Sequence, residues 1–189
     1  FYIQSTNAVV NAIDGVWEVQ GDRTLTSSSC GAPTFTNVGL LRKTAGTGAM
    51  WVSSCVALTN TGTLDLQSGA LGFQAPAGLT NSGQVTVGAG TTFYLAGVTL
   101  ESGSTFSGTG TLRMNGTTTV TGDLTVPVPV LLEGTVTGAG KLTLAAAMTW
   151  TVGTVSLAGG LEVGAGQTLT VSTDGQHVLA GPLTNHGTV

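Results

Sequence analysis

Apolar and polar residues alternate in short stretches that follow a glycine at many points along the chain. Two and four positions after such a glycine the side chains are mostly apolar, and the residue between them is polar or charged. A period of two is typical of a β-strand with one face in a core, so each stretch predicts a strand. The first apolar position holds Trp17, Leu41, Leu64, Val85, Leu112 and Leu142, and the next residue is Glu18, Arg42, Asp65, Thr86, Arg113 and Thr143.

The glycine before these strands belongs to a repeated motif, Thr-Asn-x-Gly. Clear copies begin at Thr36, Thr59, Thr80 and Thr184, and weaker copies end at Gly15, Gly110, Gly140 and Gly160. Successive motif glycines are 20 to 30 residues apart. Repeats of this length are typical of solenoids, in which each coil buries its apolar residues only against its neighbours.

The repeats predict an all-β protein, a right-handed parallel β-helix (β-solenoid) of about seven coils with 20–30 residues per coil. We expect one domain over 1–189, in which 36–189 carry the repeats and 1–35 form an atypical, cap-like N-terminal coil. The sequence stops at Val189, within a fresh repeat. Since an open solenoid end exposes unpaired strand edges, we expect either continuation in a longer chain or end-to-end self-association.

Stacked coils would bring equivalent residues about 4.8 Å apart, which predicts two ladders. The asparagine of the motif would form a corner ladder of side-chain amides, as amide stacks do in cross-β assemblies. Its members are Asn37, Asn60, Asn81 and Asn185. The outward column would place Glu18, Arg42 and Asp65 on consecutive coils as a charge ladder, which fixes register more than it adds stability.

The separation between the two cysteines, Cys30 and Cys55, is close to the length of one coil. Neighbouring coils can bring two Cα atoms within the distance that a disulfide requires. We therefore expect a disulfide, with two buried free thiols as the alternative. A disulfide would indicate an oxidising, extracytoplasmic compartment.

Composition narrows the possible partners. The chain has 30 glycines, only 7% charged residues and a net charge of −4, so no basic surface for nucleic acid is expected. The chain has no run of about 20 apolar residues, so no membrane span is predicted. The chain begins at Phe1 without the pattern of a signal peptide, so we expect a mature protein or an excised piece.

Two successive repeats resemble those of large secreted bacterial surface proteins. The segments 36–48 and 58–71 combine Asn-x-Gly corners with strands rich in threonine and glycine, as do autotransporter-like and filamentous-adhesin-like β-solenoids. The resemblance covers the chain from about Thr34 onward and leaves the first thirty residues out. It implies a bacterial protein outside the cell or on its surface, without enzymatic activity, and it leaves stalk, fibre and adhesive surface all open.

The candidate catalytic groups are dispersed along the chain. No two carboxylates lie within three positions of each other, whereas glycosidases need a pair about 5 to 9.5 Å apart. His177 and His186 have no cysteine or carboxylate at ligand spacing, so we expect no metal site and no cofactor. The carboxylates are Asp14, Glu18, Asp22, Asp65, Glu101, Asp123, Glu133, Glu162 and Asp174.

The leading hypothesis is a non-enzymatic structural segment of an extracellular fibre or adhesin stalk. A glycan-binding module is the alternative, with Trp51, Tyr94 and Trp150 as stacking residues, although core packing would also explain these aromatics. A polysaccharide-active enzyme is less favoured. Ice binding is also less favoured, because the Thr-x-Thr pairs fall at several offsets from the motif glycine and are not expected to form one face.

Overall fold

The computed structural model describes residues 1–4, 6–27, 30–74, 78–172 and 175–189, which form 27 short strands and no helix. All strand pairings are parallel, and strands three apart in the chain pair with each other. Each coil therefore contributes one strand to each of three faces of a β-solenoid. This arrangement confirms the predicted fold. Each of the two longest sheets has nine strands, which correspond to about eight turns where seven were expected.

The faces are named in the order in which the chain meets them. The first face holds β1 (Tyr2–Ile3), β4 (Thr24–Ser27), β7 (Ala49–Val52), β10 (Ala70–Phe73), β13 (Thr92–Tyr94), β16 (Thr111–Met114), β19 (Val130–Leu132), β22 (Met148–Trp150) and β25 (Leu169–Val171). The second face holds β2 (Ala8–Asn11), β5 (Thr34–Asn37), β8 (Ala57–Asn60), β11 (Leu79–Asn81), β14 (Val98–Leu100), β17 (Thr117–Val120), β20 (Thr135–Gly138), β23 (Gly153–Leu157) and β26 (His177–Leu179).

The third face is divided into two sheets that lie next to each other. Its lower sheet holds β3 (Val16–Gln20), β6 (Leu40–Ala45), β9 (Thr63–Leu66), β12 (Gln84–Val87) and β15 (Thr105–Gly108). Its upper sheet holds β18 (Leu124–Val126), β21 (Leu142–Leu144), β24 (Leu161–Val163) and β27 (Leu183–Asn185).

Coil length varies along the stack. Asn11 pairs with Asn37 in the next coil, whereas Thr118 pairs with Val136, which follows it much more closely in sequence. The strands keep three to six residues in most coils, so the corners absorb the difference. The coil from Thr118 to Val136 is therefore shorter than any that the spacing of the motif glycines predicted.

Glycine is required where the backbone of one coil lies directly on the next. A Cβ on Gly62 would lie 2.2 Å from the carbonyl oxygen of Gly39, and a Cβ on Gly83 would lie 2.2 Å from that of Gly62. No side chain fits at such a distance. The motif glycines from Gly39 to Gly83 therefore do stack at one corner, between the second and third faces.

Two of the motif glycines lie at a different corner. Gly110 packs on the backbone of Gly88, and Gly187 packs on Gln167, at the corner between the third and first faces. Between Gly83 and Gly140, the corner between the second and third faces is instead formed at Ser104 and Gly122. All three corners favour the same small residues, so the motif does not mark one particular corner. For this reason the motif glycines predicted one coil too few.

The interior is a set of stacked apolar columns. On the third face Leu41, Leu64, Val85 and Phe106 pair in register and all point inward. The predicted alternation of apolar and polar residues is therefore confirmed on this face. Burial of each such side chain contributes about 1.5–3 kcal/mol, so these columns supply the main stabilisation of the stack.

The N-terminal coil joins this stack in register. β2 pairs with β5, and Asn11 lies opposite Asn37. Apolar side chains nevertheless remain exposed on this coil, among them Val10 and Ile13. The described strands of 1–35 thus stack in register with the repeats despite their atypical sequence, and a capping role for this segment stays a prediction.

Candidate functional site

A stack of asparagine side chains occupies the corner between the second and third faces. Nδ2 of Asn11 donates to Oδ1 of Asn37, Asn37 donates to Asn60, and Asn60 donates to Asn81, each at 2.7 Å. All four side chains are buried. The second amide hydrogen of Asn37 is donated to the carbonyl oxygen of Thr63 at 2.9 Å. The stack therefore joins four consecutive coils through buried polar groups that are satisfied.

The membership of this stack differs from the prediction at both ends. Asn11 belongs to it, although the residue two positions after it is Ile13 and not the glycine of the motif. Asn185 does not belong to it, because it lies on the third face, opposite Val163 in register, and is exposed. Its Oδ1 accepts a hydrogen bond from the backbone N–H of Gly187 at 3.0 Å. The assignment of Asn185 was wrong because the last motif copy lies at another corner.

The outward charge column of the third face contains one ion pair. Glu18, Arg42 and Asp65 do lie opposite one another in register. Arg42 Nε donates to Glu18 Oε2 at 3.0 Å, whereas the Asp65 carboxylate accepts a hydrogen bond from Gln67 at 2.6 Å. Hydrogen bonds from Gln20, Arg42 and Thr44 lower the pKa of Glu18 to about 2. The column therefore orders the first two coils and not three.

A buried lysine, which sequence reasoning missed, lies at the corner between the third and first faces. Lys43 points inward on β6, in a column with Leu66 and Val87. Its Nζ donates to the carbonyl oxygens of Ala45 and Ser68, at 2.8 and 3.1 Å. The only sequence signal was a lysine at an apolar position of the alternating pattern.

Cys30 and Cys55 form a disulfide, with Cα atoms 4.6 Å apart. This confirms the predicted pairing. The bridge connects the segment before β5 with the segment before β8, so it joins two consecutive coils. Disulfides persist in oxidising compartments, so the bridge indicates an extracellular type of environment.

Aromatic and charged side chains form an outward strip on the first face. Trp51, Gly72, Tyr94 and Arg113 occupy one register column on consecutive strands. The rings of Trp51 and Tyr94 have centroids 5.3 Å apart and are inclined by 35°, and the Arg113 guanidinium lies 5.5 Å from the centre of the Tyr94 ring. Arg113 Nε donates to Glu133 Oε2 at 2.6 Å, and this bond raises the pKa of Arg113. These five residues are called the aromatic strip.

Trp150 does not belong to the aromatic strip. It lies on β22 of the same face but points inward, in a column with Leu132 and Val171, and is 4% exposed. Its ring packs against His177, with centroids 5.4 Å apart. A role for Trp150 in glycan stacking is therefore excluded by burial, and the core-packing alternative holds for this residue.

The second face carries a continuous outward column of hydroxyl groups. The members pair one to the next on consecutive strands from β5 to β23, and each side chain is exposed or half-buried. We call this the hydroxyl column, and it consists of Thr36, Thr59, Thr80, Thr99, Thr119, Thr137 and Ser156.

The hydroxyl column was not predicted, because it is built from single residues and not from the Thr-x-Thr pairs. Those pairs do lie on different faces, as expected: Thr24 on the first, Thr63 on the third and Thr119 on the second. The pairs differ in their offset from the motif glycine because they belong to different faces. Thr36, Thr59 and Thr80 are the threonines of the motif itself, one position before the asparagine stack. The signal was therefore present in the repeat, and it required the correct coil boundaries to be followed beyond Thr80.

The described residues contain no group of three or more His, Cys, Asp or Glu side chains that could hold a metal ion. Asp174, one of the nine carboxylates, lies outside them. In the same part of the chain, no helix is long and apolar enough to cross a membrane.

Comparison with the models of known protein families, with characterised proteins and with solved structures finds no match to this chain. The functional argument therefore depends on the geometry of the three faces, the corners and the ends of the stack.

Proposed function

We propose that this chain is a non-enzymatic structural segment of an extracellular stalk, fibre or surface adhesin. The observation that carries the proposal is the geometry of the last coil. Strands β25, β26 and β27 are each the last strand of a sheet. Thr188 covers the beginning of β25, where its carbonyl oxygen accepts the backbone N–H of Leu169 at 2.9 Å, and no further strand of the described residues pairs with the outer edges. Exposed strand edges are templates for a further strand. Another coil in the same register, from a longer chain or from a second copy, would pair with all three edges.

Apolar exposure at the last coil supports the same proposal. Leu183 continues the inward column of Leu142 and Leu161, both buried, yet it is 39% exposed. Leu179 and Val171 are exposed on the other two faces of this coil. A further coil would cover these side chains. Because they are 39 to 42% exposed, covering each would contribute about 1 kcal/mol.

The stack suits a mechanical role outside the cell. Consecutive coils pair along all three faces except between β15 and β18, where the third face is divided. The asparagine stack joins four coils, and a disulfide joins two. Ladders and close-packed columns of this kind resist proteolysis, because protease cleavage requires a strand to leave its neighbours. The disulfide supports the assignment to an oxidising environment.

Immunogold electron microscopy of the source cell tests the location and form of the native protein. We expect label on filaments or stalks at the cell surface. Label confined to the cytoplasm, or to isolated particles away from surface structures, would contradict the proposal.

Sedimentation of the purified chain tests whether a second copy covers the last coil. We expect association that grows with concentration and that Leu183→Lys prevents, since this change puts a charge in the apolar column. Thr184→Lys is the matched control, because Thr184 lies on the same strand in the outward column beside Glu162. Equal association of the two variants would exclude contact through the end.

A second candidate function is glycan binding at the aromatic strip. The rings of Trp51 and Tyr94 face outward, and Arg113 and Glu133 add a donor and an acceptor beside them. An aromatic ring with flanking polar groups is a common way to bind a sugar ring. A glycan array probed with the chain tests this function. We expect Arg113→Ala to reduce binding. Arg42→Ala is the control and should leave binding unchanged, because Arg42 is paired to a glutamate on the third face.

A further inference from the structure

Every residue of the hydroxyl column carries a hydroxyl group, whereas the other outward columns mix different kinds of side chain. Along the third face the equivalent column includes Glu18, Arg42 and Asp65, and along the first face it includes Trp51 and Arg113. All three faces are parallel sheets of one solenoid and share the same preference for β-branched residues. Strand propensity alone therefore does not explain why only the second face keeps a hydroxyl at every step from β5 to β23.

The array widens to two columns on consecutive strands β17, β20 and β23. There a second outward residue, two positions before the first, is also a threonine. Neighbouring strands place these side chains about 4.8 Å apart in one direction, and two residues along a strand place them about 6.7 Å apart in the other. The second column consists of Thr117, Thr135 and Thr154.

We propose that the second face binds the surface of ice. Both repeat distances of the array are close to distances between oxygen atoms in hexagonal ice. A hydroxyl both donates and accepts hydrogen bonds, as a water molecule does, so one array can match water of either orientation. Threonine is stiff at χ1, so its hydroxyl and methyl groups are held in place before binding. The inference goes beyond the structural role proposed above and does not depend on it.

The neutrality of the face favours ice over a polysaccharide. None of the outward strand residues described between β5 and β23 on this face carries a charge or an aromatic ring. Binding of crystalline polysaccharide would draw on aromatic stacking, and the aromatic strip is on the first face. Charged side chains would orient water away from the lattice arrangement, and the ion pairs in the described part of the chain lie on the other faces and at corners.

The test uses the purified chain in a frozen solution, with the recrystallisation rate of ice and the partition of protein into slowly grown ice as measurements. We expect the chain to slow recrystallisation and to enter the ice. Thr119→Lys should lose most of both effects, because it inserts a charge in the middle of the array between Thr99 and Thr137. Thr149→Lys is the control and should keep both effects, because Thr149 lies on the first face. It is matched to Thr119, since its neighbours Leu131 and Thr170 are also uncharged.

Unchanged melting curves for both variants would show that the loss is not caused by unfolding. The proposal is overturned if the wild-type chain neither slows recrystallisation nor enters ice, or if Thr119→Lys is as active as Thr149→Lys. It is also overturned if the wild-type chain binds crystalline cellulose or chitin, loses that binding in Thr119→Lys and has no effect on ice. That outcome would assign the face to polysaccharide.

Discussion

Nζ of Lys43 lies 3.0 Å from Oδ1 of Asp22, although the Lys43 side chain is 1% exposed and that of Asp22 is 41% exposed. The pair thus connects the interior of one coil with the surface of the coil before it. The hydrogen bond from Lys43, together with one from the backbone N–H of Gly48, lowers the pKa of Asp22. Because Lys43 also bonds to Ser68 in the following coil, one side chain joins three coils at this corner.

We expect Lys43→Ala to lower the free energy of unfolding by about 2–4 kcal/mol, because it removes a buried aliphatic stem and takes a donor from the carbonyl oxygens of Ala45 and Ser68. Urea unfolding followed by circular dichroism measures the change. Lys141→Ala is the control, since Lys141 forms an ion pair with Glu162 but its side chain is 39% exposed. If the two variants lost similar amounts of unfolding free energy, the burial of Lys43 would add nothing to stability.

The asparagine stack predicts a dependence on position. Asn60 lies inside the stack, so Asn60→Leu takes the partner from one amide hydrogen of Asn37 and from the side-chain carbonyl oxygen of Asn81. At about 1–3 kcal/mol for each buried unsatisfied group, the loss of stability should reach about 2–6 kcal/mol. Asn11 lies at the end of the stack, so Asn11→Leu takes the donor from one stack group only, the side-chain oxygen of Asn37. It should lower stability by about half as much. Equal melting temperatures for the two variants would contradict this.

Much of the fold follows from two sequence features. Alternation around Leu41 and Leu64 predicts strands with one buried face, and the spacing of the Asn-x-Gly copies predicts stacked coils. Both are local properties of one repeat, and a solenoid repeats local geometry. The pairing of Cys30 with Cys55 follows from the same coil length.

The errors came from the triangular cross-section. Three corners with similar chemistry alternate along the chain, so the motif at Asn185 marks a different corner from the motif at Asn60. Whether a side chain points inward also depends on the exact strand register, which separates buried Trp150 from outward Trp51. The hydroxyl column was missed for the same reason, since its later members Thr119 and Thr137 become visible only after the coil boundaries are corrected.

Glu18 predicts a loss of stability in acid. Its pKa is about 2 in the folded protein and about 4.5 without its partners. A carboxyl group with a lowered folded pKa stabilises the protein above the unfolded pKa, and this contribution disappears as the pH falls from about 4.5 to about 2. We expect the melting temperature to fall over this range and Glu18→Gln to flatten the fall. An NMR titration that placed the Glu18 pKa at its ordinary value would contradict the ion pair with Arg42.

Gly72 allows the ring of Trp51 to lie over the backbone of the next coil. A Cβ at position 72 would lie 2.3 Å from Cζ3 of that ring, so Gly72→Ala must displace Trp51 from Tyr94. We expect a lower melting temperature and a shifted NMR signal of the Trp51 indole N–H. Gly21→Ala is the control, because a Cβ there would meet no atom within 4 Å. If Gly72→Ala left the Trp51 signal unchanged, the ring would not lie on Gly72, and the aromatic strip would lose the contact that aligns its two rings.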